Sequence, residues 1–530
     1  MFVNYFSSLF RSDVPNTNNM DEVLGATSRV VNSEMNQSLL AEFTKSEVDV
    51  ALKQMSPLKA PRLDGLPPIF FQHYWDKIGG DMVKAVLTWL NSGTICPSFN
   101  HTYITLIPKV KCPQKVTEFR PIALCNILYK LVSKVLANRL KKLLPDIISE
   151  SQSAFQSDKA ISDSILVAFE SLNHMKHKKV GKTGFMAMKL DMSKAYDRVE
   201  WNFLCRLMEK MGFKDRWIQL IYGCISSVSY SILVNGEPHG DIKPTRGLRQ
   251  GDPLSPYLFL LVSEGLNGLI QQAVTAGHLR GFSLCRNGPR ISHLFFADDT
   301  LLFCRAELRE VQTIQNILHK YELASGQKIN SGKTTLFFGK SVSLVSKNAI
   351  KNLLGVPKIK EYERYLGLPA VVGRNRRASL NYIKERIWGK LQGWKEKLLS
   401  QAGREVLLKA VVQAIPTFAM SCFKLLVGLR NDIEAMIRKF WWGQSGDRRR
   451  IHWKKWDILC QPKSKGGLGF RELGKFNEAM LAKQVWRLVH DTIPYSLKCL
   501  KQNIFQQVLF LMSRQVRGLM HGRVFSKLER

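Results

Sequence analysis

The sequence predicts an α+β fold followed by a mostly helical, basic C-terminal region. Three observations carry this. Strand candidates are few, and aspartates stand where two of their apolar runs stop. Apolar spacing near three and four residues dominates the stretches between them, the mark of amphipathic helices. The last third holds most of the charge excess, with residues 371–530 summing to +21 and residues 1–370 to +14. The 530 residues are 45% apolar and 10% aromatic, enough for a sizeable core, which excludes wholesale disorder.

The elements follow in chain order. Pro57–Pro68 is a Pro/Gly-containing loop, and Leu124–Leu144 has the spacing of a helix. Lys176–Lys182 is a basic turn before an apolar strand, Phe185–Asp191, and Trp201–Met211 returns to helical spacing. Tyr230–Val234 alternates and runs into Asn235–Gly236, a tight hairpin signal. Arg246–Pro256 is a glycine-containing loop, with Ser255 as a helix cap and Pro256 in the first turn of a helix over Tyr257–Val274. Ile291–Ala297 and Thr300–Cys304 are apolar arms around Asp298–Asp299, a second hairpin. Gln461–Gly469 is a flexible Gly/Lys stretch.

The formal net charge is +35, from 78 Lys and Arg against 43 Asp and Glu, and points to a polyanionic partner, nucleic acid before membrane. Ten cysteines contain no C-x-x-C pair, which disfavours a zinc ribbon and fits a reduced intracellular compartment, nuclear or cytoplasmic. The opening MFVNYFSSLFRS lacks a basic n-region, so no signal peptide is expected. Val406–Leu429 is the most apolar long stretch, but Lys409, Pro416 and Lys424 make it a buried helix interrupted at Pro416 rather than a membrane span.

Chemistry concentrates on three acids. Asp298 and Asp299 sit between apolar arms, where uncompensated carboxylates are costly and a hard divalent cation offsets the cost. The bland alternative is an ordinary Asp-rich turn. Asp191 ends a strand, where ligands commonly sit, though a helix cap explains it as well. It lies 107 residues before Asp298, so only a shared sheet brings the sites together. Three converging carboxylates suffice for two Mg²⁺ ions, typically ~3.5–4 Å apart in phosphoryl-transfer sites.

Taken together, these segments resemble a reverse transcriptase of the LINE-type, non-LTR retrotransposon class, most like the plant ones. LDMSKAYDRVEW resembles the first catalytic motif, GLRQGDPLSPYLF the second and FFADDTLLF the third. LASGQKINSGKT, YLGLP, and ITLIPKV with FRPIALCN are similar to further motifs of that family, and WKKWDILCQPKSKGGLGFREL to its post-thumb region. The resemblance implies a right-hand polymerase of fingers, palm and thumb. Residues 1–100 would be an N-terminal linker and the start of the fingers, and 101–370 fingers and palm including the primer grip. Residues 371–440 would be the thumb and 441–530 a basic post-thumb region.

By position, the resemblance makes Asp191, Asp298 and Asp299 the catalytic acids and metal ligands, with the Met192 carbonyl beside them. The cofactor it implies is a pair of Mg²⁺ ions, with Mn²⁺ as a substitute. Tyr196 matches the steric gate against a ribose 2′-hydroxyl, and Gln250 and Gly251 line the incoming nucleotide. Lys109 and Arg120 would meet its triphosphate, and Lys328 or Lys333 would assist pyrophosphate departure. Tyr365, Leu366 and Gly367 match the primer grip. The partners implied are an RNA template, a DNA primer and dNTP, with no membrane. Trp441, Trp442, Trp453 and Trp456, interleaved with Arg448–Arg450 and Lys454–Lys455, suit phosphate contact and base stacking.

Two stretches depart from the family. Arg62–Leu63–Asp64–Gly65 stands where Gly-Pro-Asp-Gly is usual, and Gln156–Ser157–Asp158–Lys159 where a Gly-Arg pair is usual. No endonuclease region or ribonuclease H segment is recognised, and the resemblance fades after about residue 495. The alternative expectation is therefore a degenerate, catalytically inactive element fragment that only binds nucleic acid.

Overall fold

A computed structural model describes residues 1–59, 65–93, 97–157, 159–177, 184–284, 289–356, 364–369, 376–395, 399–443 and 451–490. The departures at Arg62–Asp64 and Asp158, and Arg448–Arg450, lie outside them. The chain forms two compact units. One comprises Met1–Lys159, Val180–Phe282 and Ile291–Ile359; the other comprises Ala160–Lys179, Ser283–Arg290 and Lys360–Arg530.

The first unit is mixed helix and sheet. Its strands are β1 (His101–Pro108), β2 (Phe119–Leu124), β3 (Phe185–Leu190), β4 (Ser229–Val234), β5 (Glu237–Ile242), β6 (His293–Phe296), β7 (Asp299–Arg305) and β8 (Thr335–Phe338). One sheet has the order β2-β1-β4-β5, with β1 and β4 parallel and the other pairs antiparallel. The other has the order β8-β3-β7-β6 and is antiparallel throughout. Strand β3 reads as one apolar run because it is covered on both faces. Met186, Met188 and Leu190 are buried in a core shared by Leu258, Leu261 and Leu302, and Ala187, on the opposite face, is buried as well.

The helices follow the spacing of their apolar residues. Trp201–Met211 buries Trp201, Phe203, Leu204, Leu207, Met208 and Met211, one face of a 3.6-residue repeat. It stops at Gly212, whose φ of 101° suits only glycine well. The helix expected over Leu124–Leu144 runs instead from Ile127 to Ile147. Leu124 belongs to β2, paired with Tyr103, and Asn126 caps the helix by accepting a hydrogen bond from the Leu128 amide at 2.9 Å. Asn235 and Gly236, both at positive φ, close the β4–β5 hairpin as the sequence predicts.

Helix Ser255–Thr275 corrects the expectation for Ser255, which is its first residue and does not cap it. The preceding Asp252 does the bonding. Its Oδ1 accepts from the Leu254 amide (3.3 Å), and its Oδ2 accepts from the hydroxyls of Ser255 (3.1 Å) and Tyr129 (2.8 Å).

The second unit is chiefly helical. Its apolar stretch breaks where the sequence places Pro416: Gln401–Leu407 is α-helical, Leu408–Val412 forms a π turn, and a new helix, Thr417–Met420, follows the proline. No described helix is long and apolar enough to cross a membrane. The tryptophans divide. Trp441 and Trp456 are buried against Phe470, whereas Trp453 is 76% exposed. Helix Ile161–His177 joins this unit through Asp163, which takes a bidentate pair of hydrogen bonds from Arg487, both 3.1 Å.

Candidate active site

Antiparallel pairing brings the three acids to one sheet end. Leu190 is level with Thr300, so one further step along each strand sets Asp191 beside Asp299. Phe296 pairs with Asp299, leaving Ala297–Asp298 as a two-residue turn. Ala297 has a φ of 53°, which costs a non-glycine residue roughly 1–2 kcal/mol. Beyond Asp191 the chain stays tied to the sheet. Its carbonyl accepts from the Asn330 amide (2.8 Å), Met192 bridges Ile329, and the Ser193 amide donates to the Lys328 carbonyl (2.8 Å).

The carboxylates repel one another. Burial and then Asp191 raise the Asp298 carboxyl above its ordinary range, and Arg120 opposes the rise. Burial also raises Asp299, against the pull of Lys189, with Asp298 and Asp191 adding to the rise. Asp298 is nonetheless exposed to solvent. Lys189 Nζ is 4.0 Å from Asp299 and Lys333 Nζ 3.9 Å from Asp191. Of the two lysines considered for pyrophosphate departure, Lys333 therefore faces the acids. Lys328 supplies its carbonyl to Ser193, and its charge acts on Asp13.

A cationic edge adjoins the acids. Arg120 lies in β2 opposite Ile107, and Lys109 follows β1, its amide donating to the Glu118 carbonyl at 2.8 Å. Both act on Lys194, whose ammonium is pushed down to about 8, by burial first and by these cations next. Lys194 Nζ donates to the Phe119 carbonyl at 3.1 Å. Tyr196 lies flat on Phe259, ring centroids 4.8 Å apart and planes 11° apart, and burial with Asp298 raises its hydroxyl pKa. Gln250 Nε2 donates to Asp197 Oδ1 (2.9 Å), while its carbonyl accepts from the Ala123 amide (2.8 Å). Gly251 has φ 109°, and a Cβ there would stand 3.1 Å from the Ala123 carbonyl oxygen, so the close approach to β2 needs glycine.

Sequence reasoning missed Asp197 and Lys194. Asp197 is buried, and burial lifts its carboxyl to about 6 while Lys194 and Gln250 hold it down. Both residues stand in plain view in DMSKAYD, but nothing local marks Asp197 as the support of Gln250, 53 residues away. Tyr365 to Gly367 lie in the second unit, in a small hairpin of Arg364–Tyr365 with Leu368–Pro369 whose turn residues Leu366 and Gly367 have φ of 48° and 85°.

Among the described residues no three His, Cys, Asp or Glu side chains form a ready-made metal cage, and the side chains of Asp191 and Asp299 are 42% and 43% exposed. The donor chemistry still fits a hard cation. The groups gathered at this sheet end are carboxylates, solvent reaches them, and their mutual repulsion is what a divalent ion relieves.

Comparison with known proteins agrees with this arrangement. The family described as reverse transcriptase (RNA-dependent DNA polymerase) matches residues 107–369, which hold both sheets' acid and cation segments. The transposon TX1 149 kDa protein of Xenopus laevis is 26% identical over 472 residues, 88% of this chain and 34% of that protein. The Pol polyprotein of the type-1 retrotransposable element R2 of Popillia japonica is 26% identical over 323 residues, 61% of this chain and 42% of that protein. An uncharacterized mitochondrial protein of Arabidopsis thaliana is 57% identical over 68 residues, 13% of this chain and 56% of that protein. The chain thus spans about a third of the length of its Xenopus relative. It belongs to the reverse transcriptase family, in the LINE-type, non-LTR class.

Proposed function

We propose that this chain is an RNA-directed DNA polymerase of a non-LTR retrotransposon, adding dNTPs to a DNA primer on an RNA template by two-metal nucleotidyl transfer. The observation that carries the reading is the meeting of Asp191 with Asp298–Asp299 at one end of a single antiparallel sheet, beside Arg120. In this reading residues 101–370 are fingers and palm, 371–440 the thumb and 441–530 a basic post-thumb region. The work is done inside the cell, in nucleus or cytoplasm.

Asp191, Asp298 and Asp299, with the Met192 carbonyl, would hold two Mg²⁺ ions, and Mn²⁺ would suit the same oxygens. When bound, the ions neutralise the triphosphate and lower the pKa of the primer 3′-hydroxyl. Lys109 and Arg120 bind the triphosphate oxygens, the guanidinium in bidentate fashion. Gln250 and Gly251 line the nucleotide. The primer hydroxyl attacks the α-phosphate in line and pyrophosphate leaves past Lys333. Tyr365, Leu366 and Gly367 steady the primer end. Most of the rate comes from positioning and charge neutralisation, since the protein forms no covalent bond to substrate.

Primer extension on poly(rA)/oligo(dT) tests the reading. Incorporation of dTMP that requires Mg²⁺ and ceases with a chelator is expected. Salt-sensitive RNA binding without incorporation would instead establish an inactive fragment that only binds nucleic acid.

The Tyr196–Phe259 stack gives a second expectation. Tyr196→Val removes the ring that crowds a 2′-hydroxyl, so ribonucleotide incorporation relative to deoxynucleotide should rise by roughly tenfold or more, measured as the ratio of kcat/KM values. An unchanged ratio would remove the gate role from Tyr196.

A further inference from the structure

The turn that carries Asp298 does not hold itself. Strand β6 ends at Phe296, and Ala297 stands in left-handed backbone that alanine does not favour. Its amide is satisfied from 145 residues away, by Gln152 Oε1 at 3.0 Å. The same oxygen accepts from the Ala154 amide, also at 3.0 Å, so both its lone pairs are used. Gln152 has no exposed surface, and its Nε2 donates to Ser263 Oγ at 3.4 Å on helix Ser255–Thr275. The two amide donors fix which way the side-chain amide points.

The segment around Gln152 is itself anchored. It runs beside β6 as an added parallel partner: the Phe295 amide donates to the Ser151 carbonyl (2.8 Å) and the Ser153 amide to the Phe295 carbonyl (3.1 Å). Glu264, on the same helix as Ser263, accepts from the Ser149 amide (3.1 Å) and hydroxyl (2.8 Å). Lys159 Nζ donates to the Gln152 carbonyl at 2.8 Å. The turn is thus tied through one glutamine to a helix and a loop that touch none of the three acids in these bonds.

We propose that Gln152 is a positioning residue: its amide oxygen fixes the Ala297–Asp298 turn and so sets where Asp298 and Asp299 stand relative to Asp191. Its effect on turnover rests on the polymerase reading; its effect on the turn does not.

Two readouts on the full chain separate these. In Gln152→Ala, kcat for primer extension should fall about a hundredfold with KM for dNTP within about threefold, because a displaced turn harms the chemical step more than nucleotide binding. Hydrogen exchange at the Ala297 amide should quicken about a hundredfold, while the β7 amides of Leu301 and Leu302 keep their protection. Gln152→Glu keeps an acceptor of equal length and should recover both measures to within about tenfold of wild type. A wild-type kcat in Gln152→Ala, or unchanged exchange at Ala297, would overturn the proposal. So would a Gln152→Glu no better than alanine, since that marks a generally structural role. Should Gln152→Ala fail to fold, Gln152→Met, of similar length without an acceptor, takes its place. Should wild type show no extension, the polymerase reading fails, and exchange alone decides the brace: acceleration confined to the turn upholds it and none refutes it.

Discussion

Asp298→Asn is expected to cut primer extension by roughly a thousandfold or more, a loss on the scale of removing a main electrostatic stabiliser of a transition state, while the protein melts at or above the wild-type temperature. The two halves of this expectation come from one geometry. Asp298 and Asp299 have carboxyl pKa values raised by burial, and Asp191 adds to both. A group whose folded pKa lies above its unfolded value favours folding when protonated. Its contribution is complete below the ordinary carboxylate range near ~4 and is lost as pH rises through the raised folded value. At neutral pH the acids therefore cost stability, and neutralising one relieves repulsion. The melting temperature of Asp298→Asn relative to wild type should therefore rise from about pH 4 upward, as the wild-type carboxyl ionises. A variant that lost both activity and stability would mark Asp298 as a structural turn residue.

Arg249→Met is expected to destabilise the first unit by about 3–5 kcal/mol, the usual cost of removing one member of a buried charged network. The guanidinium is buried, lies 3.6 Å from the Tyr129 ring centroid, and donates to Asn100 Oδ1 (2.5 Å) and the Cys224 carbonyl (2.7 Å). Tyr129 in turn donates to Asp252 at 2.8 Å. The substitution leaves the Asn100 oxygen and a buried carboxylate without their cation, in a domain whose whole stability is on the order of 5–15 kcal/mol. Urea unfolding should show the midpoint collapse. The contrast is Arg206→Met. Its ion pair with Asp21 is as short, 2.6 Å, but both partners face solvent, so a change under about 1 kcal/mol is expected. Equal effects at the two sites would contradict the role given to burial.

What the sequence made legible was local. The strand ending at Asp191, the arms around Asp298–Asp299 and helix Trp201–Met211 each announce themselves through apolar runs and their stops. The three acids were readable because charge inside an apolar run is conspicuous. Asp252, Asp197 and Gln152 were not, since each takes a hydrogen bond from a partner 53 to 145 residues away, and a polar residue in a loop carries no sign of burial. The start of helix Ile127–Ile147 was misplaced for a similar reason: Leu124 fits a helical repeat, and only its pairing with Tyr103 assigns it to a strand.

Iron-directed cleavage tests most directly whether the three distant aspartates share one cation site. With Fe²⁺ replacing Mg²⁺, and with ascorbate and peroxide, the bound ion cuts the backbone near its ligands. The expected result is two windows of cleavage, around residue 191 and around residues 298–299, both suppressed by excess Mg²⁺ and both lost in Asp298→Asn. Cleavage in one window alone, or at neither, would contradict it.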